Sequence, residues 1–257
     1  MKISFCTNSM NRLDHLKQTL PTNIKKVENI IDKEYIILNY NSKDDMNEWV
    51  IDNFKGKVKL YHTTEPKYFK MSHAKNVVSC LATGDIIVNI DADNFIIEGF
   101  GEWVLEQFLQ NENILVRAEG WEMGGMGGRI AISKKNYYKV RGYDEKCELW
   151  GFDDEDFVKR CLSMGLTYKK VPKKFNSAIQ HGNDIRFQNS NMDSVKDKLP
   201  KNFMDLPYPE HEIMEKINWP TLIPLKESKY DWQSYENIRN SNVNENGFGL
   251  TKVKRIL

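Results

Sequence analysis

The 257-residue sequence has no apolar run long enough to cross a bilayer; a spanning helix needs about 20 such residues. It has no excess of charge either: 37 Lys and Arg balance 36 Asp and Glu, a formal +1. No long-range field draws the chain to nucleic acid or an anionic surface, so no nucleic-acid partner is expected. The four cysteines, Cys6, Cys80, Cys147 and Cys161, lack Cys-x-x-Cys spacing. Three of them fall in apolar or helical patterns, which suits reduced thiols in a cytoplasmic protein. The first residues, Lys2-Ile3-Ser4-Phe5-Cys6, read as a strand rather than as a signal peptide. What is present is ordinary for a globular fold: 40% hydrophobic and 28% charged residues, with length enough for a full core in one or two domains.

Strand and helix signals alternate over the first two-thirds of the chain. Residues 3–6 read as a strand. Asn11 or Asp14 can cap a helix that carries Leu13, Leu16 and Leu20 and is expected to stop near Pro21. Residues 35–38 are a second strand, and a polar stretch from Ser42 opens a helix with Met46, Trp49, Val50 and Phe54 on one face. Residues 58–61 are a third strand; Ser72 caps a helix with Ala74, Val77, Val78 and Leu81 inward. Such alternation predicts an α/β fold with a mostly parallel sheet flanked by helices. Helices over 100–109, 134–140 and 153–164 and strands over 114–118, 129–133 and 167–171 follow. Between them, residues 124–128 are too rich in glycine for regular structure and could form a mobile lid. From about Asn183 the periodicity fades into Asn, Lys, Asp and Pro with isolated aromatics. The expected division is a sheet domain over 1–185 and a helical or irregular extension over 186–257.

Asp91-Ala92-Asp93 closes the apolar run Ile86-Ile87-Val88-Asn89-Ile90, which follows Gly84-Asp85 and reads as a buried strand. Carboxylates at i and i+2 on an extended chain point the same way and repel unless a cation relieves them. Hard oxygen ligands suit Mg²⁺ or Mn²⁺, ions that usually share a site with phosphate. In sheets of this kind ligands bind at the carboxyl ends of the strands, where this pair falls. Alone, Asp-x-Asp is explained as well by a solvated acidic turn.

A second constellation is Trp150-Gly151-Phe152-Asp153-Asp154-Glu155-Asp156-Phe157, with Arg160 beyond it. Four carboxylates opening a helix complement its dipole, which accounts for Glu155 and Asp156. The aromatic–Gly–aromatic lead-in needs another reason. An aromatic ring beside carboxylates holds a sugar by stacking on its apolar face while the acids bond its hydroxyls.

On these motifs, residues 1–185 resemble the nucleotide-diphospho-sugar transferases of the GT-A fold, with a Rossmann-like central sheet. The likeness runs through residues 4–12, Ala74-Lys75-Asn76, Ala82-Thr83-Gly84-Asp85 and Asp91-Ala92-Asp93. Gly127-Gly128, Lys134, Tyr137, Gly142-Tyr143-Asp144-Glu145 and then Trp150-Gly151-x-Asp153-Asp154 are similar to the inverting galactosyl- and N-acetylgalactosaminyltransferases. Those enzymes carry Gly-Gly, an aromatic, Asn/Arg-Gly-Phe/Tyr-Asp and Trp-Gly-x-Glu-Asp in the same order.

The resemblance implies roles. Asp93 would bind Mn²⁺ (or Mg²⁺), with His181 completing the coordination and Asp91 either near the metal or on the ribose. Asp154 would be the general base and Asp153 would hold acceptor hydroxyls; this register counts back from Arg160, and one two residues later breaks that spacing. Gly127 and Gly128 would admit the donor sugar. Trp150 would be the acceptor platform or a core aromatic. Thr7, Arg12 and Lys75 match positions that contact the nucleotide. Asn39 stands where an Asp usually accepts the uracil N3–H, a bond an amide oxygen can also accept. Asp153 in place of Glu shortens the reach to the acceptor.

The implied activity is inverting transfer of a hexose or N-acetylhexosamine from a nucleotide-diphosphate sugar, expected to be a UDP-sugar, to a carbohydrate or glycoconjugate acceptor. Three rivals remain. A nucleotidyltransferase on sugar phosphates would want a glycine-rich loop after the first strand, where Thr7-Asn8-Ser9-Met10-Asn11-Arg12 has no glycine. A haloacid-dehalogenase-type phosphatase would want its Asp-x-Asp early in the chain. A carbohydrate-binding relative without catalysis would have no need of Asp93 and Asp154.

Overall fold

In the computed structural model, which describes residues 1–118, 126–206, 211–217, 219 and 243–257, strand and helix alternate four times before the pattern changes. β1 (Ile3–Ser9) leads to α1 (Leu13–Lys26), β2 (Lys33–Tyr40) to α2 (Met46–Phe54), β3 (Lys59–Thr63) to α3 (Met71–Leu81), and β4 (Ile86–Asn89) to α4 (Phe100–Gln110). Then come β5 (Ile114–Arg117), β6 (Ile130–Ser133), α5 (Lys134–Lys139), α6 (Asp153–Ser163) and β7 (Thr167–Lys170). Two short helices, α7 (Asn183–Phe187) and α8 (His211–Lys216), and a final strand β8 (Lys254–Arg255) complete the described elements.

Side chains of the central strands alternate between two apolar layers, as a two-residue period requires. Phe5, Ile37 and Val88 face α1, α2 and α4, whereas Cys6, Ile36, Leu38 and Ile87 face α3 and α6. With both faces covered, β1 and β4 are buried along their whole length. A third cluster sets Phe187, Phe203, Met214 and Trp219 around Leu149, so the C-terminal segment packs against the lead-in to α6. Tyr208, Trp232 and Tyr235 lie outside the described residues, as do Gly124 and Gly125 of the glycine-rich stretch. All four cysteines are free, three of them buried and Cys80 half-buried. Among the described residues no helix is long and apolar enough to cross a membrane.

The sheet order is β7-β5-β6-β4-β1-β2-β3-β8. As expected most pairings are parallel, four of seven, but the sheet is mixed: β4–β6, β5–β6 and β3–β8 pair antiparallel. The cause is β6, which returns from β5 and inserts between β5 and β4, with Val88 opposite Ala131 and Ile86 opposite Ser133. Its entry end therefore lies beside the exit end of β4. At the other edge β8 covers β3, pairing His62 with Lys254. This two-residue strand has no periodicity to announce it.

Several local expectations are corrected. α1 continues through Pro21 to Lys26. Pro21 and Lys17 are both exposed, so the Lys17 carbonyl that Pro21 cannot serve faces water. Neither Asn11 nor Asp14 caps this helix; the Leu13 N–H donates instead to Asp44 Oδ2 at 3.0 Å, across from the β2–α2 loop. Ser72 is not a cap but lies buried in the first turn of α3, after Lys70 at the cap position.

Gly142 illustrates a glycine that the fold requires. Its φ is +63°, and a Cβ there would sit 2.4 Å from Asn76 Oδ1. That oxygen already accepts from Tyr137 Oη at 2.6 Å and from the Tyr143 N–H at 2.8 Å. Gly142→Ala is expected to cost about 1–3 kcal/mol from the left-handed backbone alone, plus the cost of the displaced amide. A thermal melt checks it; an unchanged midpoint would mean that Asn76 can move away freely.

Candidate active site

β1 lies between β2 on one side and β4 on the other, so the order reverses at the β1/β4 junction. A crevice opens at the carboxyl ends of strands where the order reverses. Asp91-Ala92-Asp93 follows β4 at that point and lines a cleft of about 130 Å³ with Ser9, Arg12, Trp150 and His181.

A backbone ladder brings His181 to Asp93. Phe95 N–H donates to Ser177 O at 2.9 Å and Ile179 N–H to Asp93 O at 2.8 Å, so residues 177–179 run beside 93–95. His181 Nε2 then lies 2.9 Å from Asp93 Oδ2, and its ring stacks on His15 with centroids 5.5 Å apart. Asn94 Nδ2 donates to Asp93 Oδ1 at 2.7 Å. Burial alone would raise the Asp93 pKa, but His181, His15 and Asn94 together hold it below its ordinary value. Asp91 goes the other way: burial, with the charges of Asp93 and Asp154, pushes it up to about 6 against the pull of Lys75.

The Asp93–His181 pair fits a divalent cation. Adjacent ligands on an octahedral ion with bonds of about 2.1 Å are separated by about 3 Å, and the two donor atoms are 2.9 Å apart. Among the described residues no group of three or more His, Cys, Asp and Glu side chains could hold a metal ion together. On this fit Asp93 and His181 would supply two ligands and the rest would come from substrate oxygens and water, as is usual for Mg²⁺ bound through phosphates. Asp91 stands apart, its Oδ1 accepting from Asn89 Nδ2 at 2.8 Å.

Because β6 enters beside the exit of β4, Gly128 comes against Asp91, which lines the crevice. A Cβ on Gly128 would lie 2.5 Å from Asp91 Oδ2 and 3.5 Å from Asp154 Oδ2. Gly128 therefore stands between Asp91 and Asp154, at a point where a side chain would displace the Asp91 carboxylate. Asn89 Nδ2 also donates to Gly128 O at 2.8 Å, and Arg117 Nε to Gly127 O at 3.0 Å. The next residue, Arg129, did not stand out in the sequence. It is 1% exposed and donates to Phe95 O and Phe175 O, both at 2.8 Å, which ties β6 to the loops carrying Asp93 and His181.

The acid cluster at the start of α6 separates into two pairs. Lys75 Nζ donates to Asp153 Oδ2 at 2.9 Å and to Asp154 Oδ1 at 2.6 Å. Asp156 turns into the core and accepts from Arg160 Nε at 2.8 Å, while Glu155 pairs with Arg117 at 2.6 Å. Burial and the neighbouring Asp154 raise the Asp153 pKa, with Lys75 opposing. The lead-in is strained: Phe152 has φ +66°, uncommon for a bulky side chain. Trp150 lines the cleft, with the Arg186 guanidinium 5.0 Å over its ring.

Three sequence candidates face elsewhere. Thr7 is buried and donates to Ile90 O at 2.8 Å. Asn39 is buried too; its Nδ2 donates to Asn47 Oδ1 at 2.9 Å and its Oδ1 accepts the Ser42 N–H at 2.8 Å. Lys75 is committed to the acid pair. Arg12, by contrast, lines the cleft, and among the described residues its Nη1 has no partner. The same is true of Asn8 Nδ2 and Ser9 Oγ, which the sequence reading passed over. Buried unpaired polar atoms are rare and call for a reason; these three lie together at and just after the end of β1, along the cleft. The available signal was a run of polar side chains closing a buried strand.

Comparison with known proteins bears on the same regions. A family model described as the N-terminal domain of galactosyltransferase matches residues 112–184, the stretch that carries Gly128, Asp154 and His181. No curated protein sequence matches significantly. Among solved structures, the mannosyltransferase PcManGT from Pyrobaculum calidifontis, in complex with GDP-Man and Mn²⁺, is 15% identical with a TM-score of 0.60 over 86% of this chain and 72% of that one. TarS from S. aureus is 10% identical with a TM-score of 0.59, covering 87% of this chain but only 44% of its own length. Its 1–349 fragment is 12% identical with a TM-score of 0.60, over 94% of this chain and 74% of that one. The chain accordingly has an α/β, Rossmann-like GT-A fold, with a central mixed sheet between helices and an irregular C-terminal region.

Proposed function

We propose that the protein is a metal-dependent inverting glycosyltransferase that moves a hexose or N-acetylhexosamine from a nucleotide-diphosphate sugar to an acceptor hydroxyl. The observation that carries this reading is the meeting at Gly128 of two carboxylates: Asp91, two residues before the Asp93 that pairs with His181, and Asp154, fixed by Lys75. Asp93 and His181 would hold Mn²⁺ or Mg²⁺, whose charge offsets that of the departing diphosphate. Asn8, Ser9 and Arg12 supply donors for the nucleotide, and Asp91 lies on its ribose side. Asp154 takes the proton of the acceptor hydroxyl while its oxygen bonds to the anomeric carbon and the bond to the diphosphate breaks. Attack from the face opposite the leaving group inverts the anomeric centre. Trp150 supplies the acceptor platform. Tyr68, Lys70 and Leu149, next along the chain to the cleft wall, line a wider groove of about 890 Å³ along which an extended acceptor can approach.

The donor base needs direct measurement, because the Asn39 oxygen expected to read uracil already accepts the Ser42 N–H. A UDP-sugar remains the first donor to test, and GDP-mannose is the second, since PcManGT binds GDP-Man with Mn²⁺. Incubation with Mn²⁺ and UDP-, GDP-, dTDP- or CMP-sugars should release a nucleoside diphosphate from one of the first three. A CMP-sugar, which has no diphosphate, should not react. Release of pyrophosphate or inorganic phosphate instead, or a retained anomeric configuration in the product, would overturn the proposal.

Gly128→Ala is a sharper local test. The added methyl displaces the Asp91 carboxylate, from which it would be only 2.5 Å. Since a misplacement near 1 Å can cost about 100-fold in rate, kcat/KM should fall by about that factor with little change in melting temperature.

A further inference from the structure

We infer that Lys75 is a positioning residue for the acid pair: its ammonium neutralises Asp153 and Asp154 and fixes Asp154 Oδ1, so that Asp154 Oδ2 is held beside Gly128. This assignment rests on Asp154 being the base, and it replaces the nucleotide contact that the sequence implied for Lys75. Lys75 projects from α3 and is 2% exposed. An ammonium has three N–H donors and no acceptor. Two of them go to Asp153 Oδ2 and Asp154 Oδ1, and the charge lies 4.8 Å from the centroid of the Tyr143 ring, a cation–π contact. Two of the three donors are thereby committed to the acid pair, and Lys75 is not among the residues lining the cleft.

The two acids it holds are not equivalent. The Asp153 side chain is 4% exposed and that of Asp154 20%. Asp153 therefore completes the buried end of the clamp, while Asp154 keeps one edge open beside Gly128. The charged and titratable groups around the pair are Asp91 at the exit of β4, Tyr143 in the turn after α5, Arg117 on β5, and Glu155, the next residue on α6. Arg117 is engaged by Glu155 and Gly127 O, so Lys75 is the cation in direct contact with both acids. Burial opposes the ammonium, yet the two carboxylates keep it charged well above its ordinary range.

The test uses the full chain and three variants: Lys75→Met, Lys75→Arg and the charge-balanced double variant Lys75→Met/Asp153→Asn. Binding of UDP and GDP with Mn²⁺ is measured by calorimetry, and kcat/KM for transfer is followed against pH. Removing a cation from a carboxylate pair shifts its protonation upward by about 1–3 pH units. For Lys75→Met the acidic limb of the profile should move up by that amount, while nucleoside-diphosphate affinity stays within about twofold of the wild-type protein. Lys75→Arg should return the limb towards its original position, because the charge is restored. A tenfold or greater loss of nucleoside-diphosphate affinity with an unmoved limb would overturn the inference and return Lys75 to the nucleotide. Should Lys75→Met fail to fold, the double variant decides: wild-type nucleoside-diphosphate affinity supports the clamp, and its loss refutes it. Full transfer by Asp154→Asn, or no transfer by the wild-type protein, would reject the underlying reading as well. An unmoved limb in an active enzyme rejects only the role of Lys75.

Discussion

Replacing Asp154 by Asn is expected to lower kcat by about 100- to 10,000-fold, the usual worth of a positioned base, while nucleoside-diphosphate binding with Mn²⁺ is kept. The exchange is isosteric, and the amide oxygen can still accept from Lys75 Nζ where Asp154 Oδ1 accepts at 2.6 Å. What the amide cannot do is take a proton from an acceptor hydroxyl. The donor cleft is lined by Ser9, Arg12, Asp93 and His181 and not by Asp154, so donor affinity has no reason to change. Asp156→Asn should give the opposite result. Asp156 is 1% exposed and accepts from Arg160 Nε, while the same guanidinium donates to Val140 O at 2.7 Å and Gly142 O at 2.8 Å. Breaking that buried pair costs about 3–5 kcal/mol, so the variant should lose stability before it loses turnover. Measuring kcat and the unfolding midpoint for both variants separates the two registers of the acid cluster. If Asp156→Asn were the inactive, stably folded variant, the base would have to be reassigned.

The contrast also explains why the sequence carried some parts of this molecule and concealed others. Alternating strands and helices were readable because the β1–β4 region obeys simple periods, down to Phe5 facing one layer and Cys6 the other. Asp91 and Asp93 could be placed at a ligand edge because the end of a buried strand is visible in sequence. The insertion of β6 was not visible, since strand order is a long-range property, and with it went the mixed sheet. That same insertion brings Gly128 beside Asp91, a closeness that a separation of 37 positions hides. Lys75 is a comparable case. Its position on α3 was clear, but its partners lie on α6, and a buried lysine reads in sequence like a surface one. Thr7 and Asn39 are polar residues at strand ends that bond nearby backbone atoms, Ile90 O and the Ser42 N–H. Their neighbours Asn8 and Ser9 have polar atoms with no partner among the described residues.

The second large effect is expected at Asp93. Asp93→Ala should remove the Mn²⁺-dependent part of nucleoside-diphosphate binding, because on the proposed reading it deletes one of the two protein ligands. Loss of an outer-shell partner already costs a metal site about 10- to 100-fold in affinity, so loss of a ligand should exceed that. His181→Ala should weaken the same binding, and the double variant should be little worse than Asp93→Ala, since a divalent ion held by one side chain is hardly held at all. The fold should survive, because the ladder that aligns 177–179 with 93–95 is made of backbone atoms, Ile179 N–H to Asp93 O and Phe95 N–H to Ser177 O. Calorimetry with UDP or GDP, in Mn²⁺ and in chelator, reads the effect directly. Two other positive groups line the cleft, Arg12 and Arg186. They give the opposing outcome a definite meaning: binding equal in Mn²⁺ and chelator, and unchanged by Asp93→Ala, would make Asp93–His181 a structural ion pair. The diphosphate charge would then rest on the two guanidinium groups, and the transfer would be one that leaves without help from a metal.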